Sequence, residues 1–284
     1  MSDAVPTPSA EDLSGRSGFV KANGITQHVL EYGDVERPCV LIVPGITSPA
    51  ATWEFVAEPL SAQFHIYTLD IRGRGLSDAP RDGYTLSDYA ADVHGVIQAL
   101  RLDRPILIGH SLGARIAVAY GALYPDEVGP LIIVDPPLTG PGRAPYFISE
   151  ETFITSIREA KAGATADDMR RYFPTWTNEH LELRAKWLAT CDENAVAQSH
   201  RLFHVEDFFD YWPKLGCPVV FIYGADSLAV TKDGAAEVIA ALPSARMIEV
   251  PEAGHMIPWD NEQGFREAVT PSLRALAARN APAI

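Results

Sequence analysis

The sequence predicts an α/β protein, a mostly parallel, doubly wound sheet that carries an inserted helical cap. Short continuous apolar runs rich in Val and Ile recur as "CVLIVPG", "HIYTLDI", "PILIGH", "LIIVDPP" and "PVVFIYG". Runs of this kind suit strands covered on both faces. Helical stretches alternate with them at 52–61, 86–100, 112–123 and 232–241, which is the rhythm of βαβ units. Between 138 and 212 that rhythm stops: "ISEETFITSIREAKAG" and "NEHLELRAKWLATC" are amphipathic and helical, with no convincing strand among them. The chain therefore divides into a core, 19–137 with 213–284, and a helical cap, 138–212, preceded by a disordered tail, 1–18.

The 284 residues suit one domain with an inserted subdomain better than two full domains. A hydrophobic share of 47% against 21% charged residues is the balance of an ordinary globular chain. The net charge of −14 argues against nucleic acid and anionic membranes as partners. It also means that an anionic substrate must be held by local arginines against the general field. No apolar run approaches the roughly 18 residues that cross a bilayer. The N-terminus is polar and acidic and lacks the apolar centre of a signal peptide. Cys39, Cys191 and Cys217 are odd in number and lack metal-type spacing, so reduced thiols and a cytoplasmic location are expected. Nothing in the pattern specifies an oligomeric state.

Along the chain, "GFVKANGITQHVLEYG" forms two alternating runs joined at Asn23-Gly24, a hairpin signal. The chemistry begins at "LIGHSLGAR", where Gly109-His110-Ser111-Leu112-Gly113 matches G-x-S-x-G between a buried strand and a helix. In a strand–nucleophile–helix turn the nucleophile takes a strained backbone conformation, so its neighbours two residues away must be small. That turn lifts the Ser111 hydroxyl above the sheet at a helix N-terminus. A serine needs a base, and His255 in "VPEAGHMIPWD" follows the last apolar run, "ARMIEV". Its place fits the chain order nucleophile, acid, histidine.

The acid that orients His255 has two candidates on the residues alone. One is Asp226, in the loop after "PVVFIYG", although Ser227 occupies the position there where an acid is commonest. The other is Asp135, ending "LIIVD". Oxyanion donors are expected from the amides of Leu112, directly after the nucleophile, and Ile46, in the loop after "CVLIVPG". His110 precedes the serine and reads as structural. His200 and His204 in "HRLFH" lack the glutamate of the zinc motif, so they read as cap packing and no metal is expected. "DIRGRGLSD" misses the third glycine of a dinucleotide fingerprint and reads as a structural loop.

These residues resemble the α/β-hydrolase superfamily from Phe19 onward. The segments "VPGITSPAATW", "LDIRGRGLS", "GHSLGAR", "VDPPLTGPGRAPY", "SIREA", "RAKWLATC" and "AGHMIPWD" look closer still to its small-amide hydrolases of nicotinate and vitamin B6 breakdown. That resemblance implies Asp135 as the triad acid, with the acid displaced from the Ser227 loop. It implies hydrolysis of a small anionic amide through an acyl-serine, with release of a formyl group and no cofactor. It also implies that Arg158 and Arg170 of the cap hold the substrate carboxylate, while Arg115 and Arg143 are further candidates. Other hydrolases on the same triad, such as an acetamidomethylene amidase, an esterase or a C–C bond hydrolase, remain alternatives, as does a ligand-binding protein on a hydrolase scaffold. Ser111 argues against dehalogenase and epoxide-hydrolase chemistry, which use aspartate at the elbow.

Overall fold

The structure is a computed structural model that describes residues 8–280. An antiparallel hairpin, β1 (Arg16–Ala22) and β2 (Ile25–Tyr32), opens the chain, followed by β3 (Cys39–Val43). A short 3-10 turn, Ala50–Trp53, leads into α1 (Glu54–Leu60), then β4 (His65–Leu69) and α2 (Leu86–Ala99). β5 (Ile106–His110) runs into α3 (Leu112–Leu123), and β6 (Leu131–Val134) follows. Four helices come next: α4 (Glu150–Lys161), α5 (Ala166–Arg170), α6 (Asn178–Leu188) and α7 (Glu193–Val205). The chain closes with β7 (Val219–Gly224), α8 (Lys232–Ala241), β8 (Arg246–Val250), α9 (Ile257–Asp260) and α10 (Glu262–Asn280).

The eight strands form one sheet in the order β1-β2-β4-β3-β5-β6-β7-β8. β1 and β2 are antiparallel to their neighbours, and every pairing from β4 through β8 is parallel. β3 to β7 are almost wholly buried, as the uninterrupted apolar runs require. Because β3, β5, β6, β7 and β8 are parallel and adjacent, the loops after them emerge along one edge of the sheet. That edge lies beside the point where the strand order reverses, the usual ligand crevice of open α/β sheets.

α4 and α7 each bury an apolar stripe, Phe153, Ile157 and Ala160 in the one and Val196, Leu202 and Phe203 in the other, and each of α4 to α7 begins with a side-chain cap. Ser149, Thr165, Thr177 and Asp192 accept from the backbone N–H three residues on, a contribution of about 1 kcal/mol each.

Residues 1–7 of the expected tail lie outside the described residues. Over the remainder the expectation of a disordered 1–18 is corrected, because β1 starts at Arg16 and Arg16 pairs with Glu31 in register and as an ion pair. As an edge strand with one face toward water, β1 leaves no apolar run to read. Among the described residues, no helix is long and apolar enough to cross a membrane.

Candidate active site

Five loops along the sheet edge build the site. After β5 the backbone turns sharply at Ser111, with φ 55° and ψ −118°, a left-handed region that non-glycine residues rarely enter. The Ser111 N–H donates to the Val134 carbonyl at 3.0 Å, and its carbonyl accepts from Ala114 N–H at 3.1 Å as α3 begins. A Cβ on Gly113 would overlap the Val43 carbonyl, and one on Gly109 would overlap the Gly113 carbonyl. The two glycines are therefore steric requirements of the corner.

His255, in the loop after β8, places Nε2 at 2.9 Å from Ser111 Oγ and Nδ1 at 2.7 Å from Asp135 Oδ2. Asp135 ends β6 with a positive φ of 46° and is fully buried. Its carboxylate also accepts from Ser227 Oγ at 2.6 Å and from Gly224 N–H at 3.2 Å. Burial pushes the Asp135 carboxyl above the usual range, and the donors from His255, Ser227 and Gly224 pull against that. Asp226, the alternative acid, is exposed and does not reach His255. Ser227 fills the vacated acid position and solvates the displaced carboxylate.

Leu112 is the first residue of α3, so its N–H has no helical acceptor. The loop after β3 comes close as well: a Cβ on Gly45 would stand 3.3 Å from Ser111 Cβ. Arg74 Nε donates to the Ile46 carbonyl at 2.8 Å, fixing that peptide, and its other nitrogens reach Tyr89 Oη and Ser199 Oγ. The "DIRGRGLSD" loop thus supports Ile46 from below.

Ser111 and His255 open into a cavity of about 230 Å³ whose walls come from both the sheet edge and the helical insertion. Phe147, Ile148, Phe153, Phe173, Trp176 and Met256 make it largely apolar. Polar groups are few, chiefly Tyr146, Thr47, Arg184 and Asp260. The Tyr146 hydroxyl lies 3.2 Å from His255 Nε2, the nitrogen that also faces Ser111 Oγ. Burial raises its ionisation far above that of a free tyrosine. His110 donates from Nε2 to the His255 carbonyl at 3.0 Å, and burial pushes its imidazole down to about 3, so it stays neutral.

The expectation for Arg158 and Arg170 is corrected, because neither lines the cavity. Arg158 is 69% exposed and pairs with Glu193, since α4 buries Phe153 and Ile157 and turns Arg158 outward. Arg170 binds Asn178, the Trp176 carbonyl and Asp167. Arg115 is buried against the Pro137, Thr139 and Glu206 carbonyls, and Arg143 pairs with Asp207 and Glu237.

The arginine on the cavity wall is Arg184 of α6. Its guanidinium is buried, donates to the Thr47 carbonyl and Oγ1, and stands over the Phe173 ring. It has no carboxylate partner among the described residues, and its Nε has no hydrogen-bond partner. Burial lowers its ionisation to about 10, which still leaves it charged at neutral pH. The sequence does carry a signal for it, an arginine on the apolar helical stripe Leu181, Ala185, Leu188. His200 donates to the Ile148 carbonyl, and no group of three or more His, Cys, Asp or Glu among the described residues could hold a metal ion.

A second Ser–His–Asp chain shows why distances alone do not make a site. Ser17 Oγ lies 2.9 Å from His28 Nε2, and His28 Nδ1 lies 2.7 Å from Asp70. Ser17, however, sits within strand β1 with no helix N-terminus above it, and Asp70 is committed to the Ala50 and Leu76 amides.

With this geometry in hand, the chain belongs to the alpha/beta hydrolase fold family, which it matches over residues 38–262. Within that family it is 43% identical to N-formylmaleamate deformylase of Pseudomonas putida, over 87% of this chain and 92% of that protein. It is 29% identical to 2-(acetamidomethylene)succinate hydrolase of Mesorhizobium japonicum, over 87% and 91%. Among solved structures, the N-formylmaleamic acid deformylase Nfo of Pseudomonas putida S16 superposes with a TM-score of 0.86 at 41% identity, covering 90% of this chain and all of that one.

Two outcomes follow from the site. Gly113→Ala should lower stability by about 1–3 kcal/mol or more in thermal melting and abolish turnover; unchanged melting with full activity contradicts the corner. Ser227→Ala removes a donor to the charged carboxylate, which raises the Asp135 carboxyl further. The acid limb of the kcat/KM profile should then move to higher pH, and an unmoved limb contradicts this role for Ser227.

Proposed function

We propose that this chain hydrolyses N-formylmaleamate to maleamate and formate, using Ser111, His255 and Asp135. The observation that carries the reading is Arg184, a buried cation without a carboxylate partner on the wall of the apolar cavity that holds Ser111. Such a cation suits a substrate that brings its own carboxylate. The likeness to N-formylmaleamate deformylase supports the same substrate.

In the mechanism, Ser111 Oγ attacks the formyl carbon while its proton passes to His255 Nε2. Asp135 accepts from Nδ1–H throughout and stabilises the imidazolium. The amides of Leu112 and Ile46 receive the oxyanion. The carbon–nitrogen bond then breaks and His255 returns the proton to nitrogen, releasing maleamate. Water attacks the formyl ester and gives its proton to His255. Collapse of that second intermediate expels Ser111 Oγ, which recovers the proton, and formate leaves. Because the acyl group is a single carbon, specificity rests on the leaving group, whose carboxylate meets Arg184.

The cavity suits a monoanion better than a dicarboxylate. Its lining holds one guanidinium, Arg184, and one carboxylate, Asp260, which accepts from the Gly254 N–H. A second substrate carboxylate would find no second arginine there. The reading places the enzyme in the cytoplasm, where its free cysteines stay reduced, and in nicotinate breakdown, as the sequence resemblance implies. It acts on a small molecule and needs neither nucleic acid nor membrane, in keeping with a net charge of −14.

The test is formate release. Wild-type protein should yield stoichiometric formate from N-formylmaleamate and Ser111→Ala none; no formate from the wild type rejects the function. Arg184→Met should raise KM for this anion by about 100-fold, as expected for a lost charge-assisted pair. Hydrolysis of neutral p-nitrophenyl acetate should change by only a few fold. Equal losses on both substrates would remove Arg184 from the binding site.

A further inference from the structure

We propose that Tyr146 is a fourth catalytic residue, whose hydroxyl hydrogen-bonds the carbonyl of the leaving amide as the carbon–nitrogen bond breaks. The inference rests on the hydrolase reading above and concerns the step that this substrate class makes hardest. The starting observation is a surplus. His255 Nδ1–H is taken by Asp135 and Nε2 accepts from Ser111, so the imidazole is already satisfied. A second hydroxyl, that of Tyr146, nevertheless converges on the same nitrogen at 3.2 Å. The triad can form without this bond, so the Tyr146 hydroxyl is free to turn to substrate.

Position decides what it meets. To collect its proton, the leaving nitrogen must come within hydrogen-bonding distance of His255 Nε2, where the Tyr146 hydroxyl already stands. In an N-acyl carboxamide that nitrogen carries a second carbonyl, whose oxygen lies about 2.3 Å away through two bonds. An oxygen so placed falls within reach of the Tyr146 hydroxyl.

The chemistry of that oxygen matters. When the bond to the formyl carbon breaks, the electron pair goes to nitrogen and spreads onto this carbonyl as an imidate. The imidazolium then gives its proton to nitrogen, and a neutral primary amide departs. A fixed donor aimed at the oxygen stabilises the charge where it develops, while the phenolic proton stays on Tyr146. Burial keeps that proton in place, since it raises the phenol far above its ordinary range.

The scaffold holds the ring as such a role requires. Tyr146 packs against Phe203 with centroids 4.7 Å apart. The loop that carries it is pinned by Arg115, which donates to the carbonyls of Pro137 and Thr139.

The test is Tyr146→Phe, which keeps the packing, compared with wild type on N-formylmaleamate and on p-nitrophenyl acetate, whose phenolate leaves unaided. On the imide, kcat should fall about 10- to 100-fold, the scale of a lost donor to a developing anion. KM should stay within about 3-fold, as should the ester acylation rate, because the group acts on leaving-group charge alone. An unchanged kcat on the imide overturns the proposal. So does a parallel loss on both substrates, which would make Tyr146 a support for His255. If wild type releases no formate from N-formylmaleamate, the deformylase reading fails by itself, and the same comparison is run with N-formylbenzamide. A protein that hydrolyses the ester but neither imide overturns the Tyr146 role.

Discussion

The left-handed turn at Ser111 is the constraint on which the rest depends. A non-glycine residue at φ 55° costs roughly 1–3 kcal/mol, and it persists only because its surroundings permit nothing else. β5 is locked between β3 and β6, the Ser111 N–H is held by Val134, and α3 starts at the next residue. The backbone of α3 approaches those of β5 and β3 so closely that neither Gly109 nor Gly113 admits a side chain. The strain is thereby converted into a fixed direction for one hydroxyl. Asp135 repeats the device at the end of the neighbouring strand, where another positive φ aims the carboxylate at His255.

Buried arginines tie the helical insertion to this edge. Arg74 links the Ile46 carbonyl to Ser199 of α7, Arg115 links the loop after Asp135 to the end of α7, and Arg184 links α6 to Thr47. None of the three has a carboxylate partner among the described residues, and carbonyl and hydroxyl acceptors satisfy most of their donors instead. Arg115 and Arg184 each leave Nε without a hydrogen-bond partner, and of the two only Arg184 lines the cavity. The insertion therefore holds the Ile46 loop and the Arg184 guanidinium in one network, so the proposed carboxylate contact and the geometry of the Ile46 peptide are mechanically joined.

Much of this was legible in the sequence because the core obeys local rules. The helices read at 112–123 and 232–241 are α3 and α8 to the residue, since a strand-to-helix corner and a threonine cap fix their starts. The nucleophile corner was readable from its small neighbours. The acid stayed open on the residues alone, because Asp135 and Asp226 both follow strands at the same edge; the family resemblance pointed to Asp135, and the fold shows Ser227 donating to it and Asp226 turned to solvent. The start of β1 was hidden by its polar, half-exposed face. The arginines misled for a related reason: charge in a sequence carries no direction, and a helix that buries Ile157 must expose Arg158. Tyr146 sits in an irregular loop, where no periodicity signals burial.

The most direct measurement is labelling with a fluorophosphonate, followed by peptide mapping, because the reagent reports which hydroxyl the fold has activated. The account predicts a single adduct on Ser111 that is lost in His255→Ala. An adduct on Ser17, whose Ser17–His28 and His28–Asp70 distances match those of the proposed triad, or no adduct in folded protein, would contradict it.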